Sequence, residues 1–228
     1  INGKNVTRIG EDAFYRERRL TSIVIPDGVT HIEMRAFFKC ISLESIHMPD
    51  SVTHIGMFAF KHCTALTSVT IPDNVTRIEW GVFSGCTALT SVTIPDGVTS
   101  IGMHAFYQCK SLTSIFIPDS VVLIDAFAFK QCLSLTSVWL PDGLTSIKFE
   151  TFNQCSSLMS ITIPDGVTRI GSGAFYSCTS LTNITIPDSV TGMGENVFVG
   201  CPSVVIRCKQ NSYAHQHAID NEMEFVLI

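Results

Sequence analysis

Residues 66–88 read Leu-Thr-Ser-Val-Thr-Ile-Pro-Asp-Asn-Val-Thr-Arg-Ile-Glu-Trp-Gly-Val-Phe-Ser-Gly-Cys-Thr-Ala, and at Leu89 the same pattern begins again. Its proline, Pro72, belongs to a series at 26, 49, 72, 95, 118, 141, 164 and 187, always 23 residues apart. A fixed period of this length marks a solenoid, in which one coil cannot bury its apolar face except against its neighbours. The apolar columns run through the same frame. Phenylalanine recurs from 14 to 198 and leucine from 20 to 181, with Val204 closing the second column. Cysteine recurs from 40 to 201, and an isoleucine column runs from Ile9 to Ile170, ending in Met193.

Local structure follows from the unit. Leu66 to Ile71 ends in apolar–exposed–apolar alternation, the period of a half-buried strand. The proline after it has no N–H and stops the ladder. Pro-Asp-Gly or Pro-Asp-Ser then makes a turn, with Asp expected to bond backbone N–H groups two residues on. Val-Thr-x-Ile extends again. The segment leading to Ala-Phe-x-x-Cys is too short for a free helix and suits one helical or 3₁₀ turn. Parallel stacking advances about 4.8 Å per coil, so about nine coils make a rod or shallow arc roughly 40–45 Å long. The expected domains are a solenoid over 1–207, with imperfect first and last coils, and a C-terminal cap over 208–228.

The recurring string Leu-Thr-Ser-Ile-x-Ile-Pro-Asp-x-Val-Thr-x-Ile-Gly-x-x-Ala-Phe-x-x-Cys resembles the 23-residue, BspA-like variety of leucine-rich repeat. The resemblance covers nearly the whole chain. It implies an α/β repeat fold with a parallel strand ladder on the concave face and short helical or 3₁₀ turns opposite. It also implies a secreted or cell-surface protein used for adhesion.

The chain is apolar (46 %) and poorly charged (15 %), yet no run approaches the length a spanning helix needs, so no membrane insertion is expected. Ile1 opens neither a signal-peptide pattern nor an initiator methionine, as expected of a processed or excised domain. A net charge of −5 argues against nucleic acid. Arg8, His31, His54, Arg77 and Arg169 share one column, a broken stripe that reads as a solvated face.

Nine cysteines raise the question of disulfides or metal, but eight stand in one column with parallel side chains, which does not suit a bridge. The reading is a ladder of buried free thiols donating weakly to turn carbonyls. Zinc needs ligands converging from several directions and is not expected. Cys208 lies off the column, leaving a Cys201–Cys208 bridge as an alternative. Glu17 holds the cysteine position of the first unit, so that coil is either an exposed end or distorted.

The eight Pro-Asp aspartates form a second ladder. It reads as a row of Asx-type turns, or as a cation site. One carboxylate per turn favours the turns. Asn5-Val-Thr7, Asn74-Val-Thr76 and Asn183-Ile-Thr185 are formal glycosylation sequons produced by the repeat's own threonines.

Binding residues belong where units differ. The outward position between the last two strand isoleucines carries Val24, His47, Thr70, Thr93, Phe116, Trp139, Thr162 and Thr185. Phe116 and Trp139 place two large aromatics in consecutive coils beside a row of serines. Val122 and Leu123 also depart from the surface pattern. Phe116, Trp139, Leu123, Val122 and His47 are therefore the candidate partner-binding residues. Trp80, Met103, Phe127 and Phe149 mark a second variable surface, which alternatively covers the convex side of the core. In the tail, Asn211-Ser212 caps a helix through Tyr-Ala-His-Gln-His-Ala-Ile, and Glu-Phe-Val-Leu-Ile is a last strand closing the stack. His215 and His217 are two apart, which splays them on a helix.

No phosphate loop, nucleophile elbow or His-Glu-x-x-His occurs, so neither a catalytic residue nor a cofactor is assigned. The expected function is non-enzymatic recognition or adhesion, binding an extracellular protein or glycan. The alternatives are a spacer or display rod and a scaffold domain of a larger protein.

Overall fold

The structure, a computed structural model, describes residues 6–228; the sequon at Asn5 lies outside them. Each repeat forms one turn of a parallel solenoid with three walls. The first is a ladder of three-residue strands from Ser22–Val24 to Asn183–Thr185, continued by Val205–Cys208 and Phe225–Leu227. The second is a ladder of two-residue strands from Arg8–Ile9 to Gly192–Met193. Every pairing is parallel and offset by one repeat, as in Ser68↔Ser91 and Thr70↔Thr93, until Asn183↔Val205 shortens the offset by one residue. Ladder pairing is interrupted in places, as between Ser45–His47 and Ser68–Thr70, which nevertheless stay side by side.

The third wall departs from the expected 3₁₀ turn. Ala36, Phe38 and Cys40 donate their N–H groups to Glu33, Arg35 and Phe37, three residues back. Between them, Arg35, Phe37 and Lys39 donate to Met57, Ala59 and Lys61 of the next coil, at 2.8–3.0 Å. Arg35 and Lys39 reach this geometry with φ of 55° and 58°. The left-handed residues break any 3₁₀ run, and the wall becomes a chain of tight turns that is also a third inter-coil ladder. From Arg35 to Cys40 every backbone N–H is thus bonded, which buried irregular backbone requires.

The core lies between the walls. The phenylalanine column from Phe14 to Phe198 is a continuous stack, with centroids 4.9–5.9 Å apart and rings within 11° of parallel. Adjacent rings are thus offset and nearly parallel, a favourable aromatic geometry. All nine cysteines are free and buried, Cys201 and Cys208 among them. Each column thiol donates to a phenylalanine carbonyl 26 residues back, from Cys40 to Phe14 at 3.0 Å through Cys201 to Phe175 at 3.0 Å. That carbonyl also accepts the N–H of the residue at the cysteine position of its own coil, which is Glu17 in the first coil and cysteine in the others, so both its lone pairs are used. Glu17 stands at the exposed end of the column, accepts from Arg19 N–H at 2.9 Å and leaves its turn intact.

The Asx expectation is not met. The Pro-Asp turn is closed by backbone alone, as in Val52 N–H to Pro49 C=O at 3.0 Å. Among the described residues no aspartate of this series accepts from its own turn; all eight are exposed. The next position works between coils instead. Ser51 accepts from Gly28 N–H at 3.2 Å and donates to Val29 C=O at 2.8 Å.

The helix Tyr213–Asp220 is capped by Ser212, which accepts from His215 N–H at 3.2 Å, and buries Ala214 and Ala218. The following strand adds in parallel, with Ile206↔Phe225 and Cys208↔Leu227, so the repeat's last strand continues into the tail without a break at 207/208. Instead of closing the stack, Phe225–Leu227 adds a rung whose own side chains are all exposed.

Candidate binding surfaces

The three-residue strand wall presents the variable column outward. Phe116 and Trp139 are direct partners in register and stand 64 % and 71 % exposed. No ring pair joins them to each other or to another aromatic among the described residues. The threonines one position before the serines are committed to backbone, as in Thr90 Oγ1 to Thr67 C=O at 3.0 Å and Thr136 Oγ1 to Thr113 C=O at 3.1 Å. The hydroxyls of Ser91, Thr93, Ser114, Ser137, Ser160 and Thr162 have no protein partner among the described residues. An uncharged surface of open hydroxyls therefore surrounds two aromatic side chains.

The other three candidates do not join this pair. His47 pairs with Val24, and the rungs of Thr70 and Thr93 separate it from Phe116, about 14 Å of axis. Leu123 begins the strand Leu123–Ile124 on the second wall and lines a groove of about 260 Å³ with Arg77, Trp80, Ser100 and Met103. Val122 is exposed beside it and lies over Gly143. The sequence grouped these residues together, but the chain rounds the Pro118 corner between Phe116 and Leu123 and so places them on different walls.

The second variable surface is an aromatic band on the turn wall. Phe58 meets Trp80 at 5.1 Å, His104 stacks on Phe127 at 4.5 Å, and Phe127 meets Phe149 edge-on at 5.1 Å. Lys61 and Lys130 lie over Phe58 and Phe127. Burial and the nearby ammonium groups of Lys61 and Lys130 lower the pKa of His104. A glutamine ladder that the sequence reading missed runs beside the band, with Gln108 donating to Gln131 at 2.8 Å and Gln131 to Gln154 at 3.0 Å. Its spacing of 23 was the available signal.

An open cleft of about 740 Å³ lies against the last coil, lined by Phe198, Cys201, Val204, His217 and Met223. His217 meets Phe198 and Tyr213, whereas His215 packs on Phe225. No group of His, Cys, Asp or Glu among the described residues is arranged to hold a metal, and no helix is long and apolar enough to cross a membrane. Asn74 and Asn183 of the other two sequons are exposed.

Strand ladders, a 23-residue period and a stacked apolar core define a leucine-rich-repeat solenoid. A profile described as "BspA type Leucine rich repeat region" matches residues 7–125 and 81–205, with six copies, and the chain belongs to that family. A leucine-rich repeat protein from Bacteroides ovatus is 31 % identical with a TM-score of 0.73, over 90 % of this chain and 59 % of its own. This chain thus spans little more than half the length of that relative. A Treponema pallidum leucine-rich repeat protein is 27 % identical with a TM-score of 0.64, over 92 % of this chain and 87 % of its own. A leucine-rich cell surface protein from Faecalibacterium prausnitzii is 27 % identical over 94 % of this chain and 86 % of its own, with a TM-score of 0.45. No curated protein is matched significantly by sequence.

Proposed function

We propose that this chain is a non-enzymatic recognition or adhesion module of a secreted or cell-surface protein, binding an extracellular protein or glycan through its strand face. The observation that carries this reading is the in-register pair Phe116 and Trp139, 64 % and 71 % exposed on a wall otherwise lined by hydroxyls. Large apolar side chains held in water by a rigid sheet lose little conformational entropy on binding, and they desolvate when covered. The open serine and threonine hydroxyls around them supply directional hydrogen bonds. Membership of the BspA-type family supports surface adhesion as the setting.

The test is a screen of matrix proteins and neutral glycans, followed by Trp139→Ala and Phe116→Ala. Each substitution should lower affinity at least tenfold, a loss of about 1.4 kcal/mol or more, and move the thermal midpoint little. Unchanged binding in both variants, or a fold destabilised by several kcal/mol, sinks the strand-face reading and favours a spacer or display rod.

A further inference from the structure

Charge on this solenoid is sorted by edge. The eight Pro-Asp aspartates line one corner, and among the described residues only Asp188 has a cationic partner there, Lys209 at 2.9 Å. Positive charge collects instead on the bends that follow the phenylalanines of the first three coils. Arg16, Arg18 and Arg19 stand in the first bend, Lys39 in the second and Lys61 in the third. Backbone bonds from Arg16 N–H to Phe38 C=O at 2.7 Å and from Lys39 N–H to Lys61 C=O at 2.8 Å hold these bends over one another.

None of the five cations enters an ion pair among the described residues; the pairs present involve Arg8, Arg35, Arg77, Lys130 and Lys209. Glu17, the acid of the first bend, accepts from the Arg19 backbone at 2.9 Å. Five side-chain cations thus face one carboxylate along about 10 Å of axis, on a chain of net charge −5. The heads rest on rings. Arg16 lies 5.1 Å from the Tyr15 centroid and Lys39 5.5 Å from that of Phe38, while Tyr15 and Phe38 stack at 5.2 Å. Stems laid along apolar rings keep the charged ends toward water and partly ordered. The local field is felt by His62, whose pKa falls through burial and then through the ammonium groups of Lys61 and Lys39.

We infer that this edge is a second binding site, for an acidic polysaccharide carrying sulfate or carboxylate groups. Guanidinium and ammonium groups repeated at about the coil spacing meet successive anions along one flexible chain. The patch is too short for the long basic track of a nucleic-acid interface. A membrane surface is also a poor match, because the cluster is confined to the first three bends, and the later bends of the same edge are neutral apart from Lys110 and Lys130, the latter paired with Glu150. The site does not depend on Phe116 and Trp139.

Heparin is the probe. At about 50 mM salt the chain should be retained on immobilised heparin despite its negative net charge, with a log–log salt slope of about −2 to −4. The triple variant Arg16→Gln, Arg19→Gln, Lys39→Gln should bind about tenfold more weakly or worse and flatten that slope. Arg77→Gln, Arg169→Gln and Arg207→Gln together remove the same charge elsewhere and should leave binding unchanged. Absence of retention, or equal loss in the two triples, overturns the site. Tighter binding to a DNA duplex or to phosphatidylserine vesicles than to heparin overturns the ligand class. As a check that needs no variant, bound heparin should shield Lys39 and Lys61 of the unmodified protein from acetylation. Equal acetylation with and without heparin counts against the site.

Discussion

Phe58, His62, His104, Gln108, Phe127 and Gln131 adopt φ between 55° and 62°, a region that costs a bulky side chain about 1–2 kcal/mol. They are held there because their N–H groups complete the turn-wall ladder. In the fourth coil the same two positions are Gly81 and Gly85, and the rings of Phe58 and His62 lie down onto them. A Cβ at Gly81 would meet Phe58 Cδ1 at 2.6 Å, and one at Gly85 would collide with His62 Nδ1. Gly85→Ala should therefore destabilise the fold by about 1–3 kcal/mol in urea unfolding, although most of its neighbours in that column are not glycine. A loss below a few tenths of a kcal/mol would show that the His62 ring swings away freely. The thiols give a second residue-scale expectation. Burial raises the pKa of Cys86 and of Cys155 from 9.0 to about 12. The folded state then holds protons that the unfolded state releases, so stability is full below pH 9.0 and falls between 9.0 and about 12. Denaturant titrations across that range should show the fall, with native thiols refusing alkylation at pH 8; constant stability from pH 8 to 11 would contradict it.

At the scale of the element, the strand walls and the core columns were legible because one side-chain type recurs wherever burial demands it. Phe129 and Trp139 show the contrast. Phe129 is fully buried in the ring stack and Trp139 is 71 % exposed. Phe129→Ala should cost about 3–5 kcal/mol and Trp139→Ala well under 1 kcal/mol, measured by the same unfolding transition. The turn wall was not legible in this way. Arg35, Phe58 and Glu150 share one left-handed position, and their side chains carry no common signature for it. Nor could the sequence show that Leu123 faces Trp80 and not Phe116, since that depends on where the chain rounds the Pro118 corner. Phe116 and Trp139 themselves were visible as departures from threonine, because the walls around them vary so little.

For the whole molecule, contacts run almost entirely between adjacent coils, so stability should behave as a chain of nearest-neighbour couplings. Phe83→Ala and Phe106→Ala, whose rings stack at 5.6 Å, should be non-additive by about 0.5–3 kcal/mol. Phe37→Ala and Phe175→Ala, far apart in the stack, should add. Thermodynamic cycles on the two pairs check this, and equal coupling in both would argue for a globally shared core.

The glycine seats beneath Phe58 and His62 have a consequence for assembly. Because the core columns are interchangeable, a folding chain that skipped one repeat and joined the coil beyond would still find a phenylalanine, a leucine and a cysteine waiting. Core burial alone scarcely distinguishes that mispairing from the native order. Phe58 and His62 do distinguish it, since one coil further on they would meet His104 and Gln108 instead of Gly81 and Gly85. These two ring-and-glycine contacts act as keys that fit a single neighbour, and they help an otherwise uniform stack count its coils correctly.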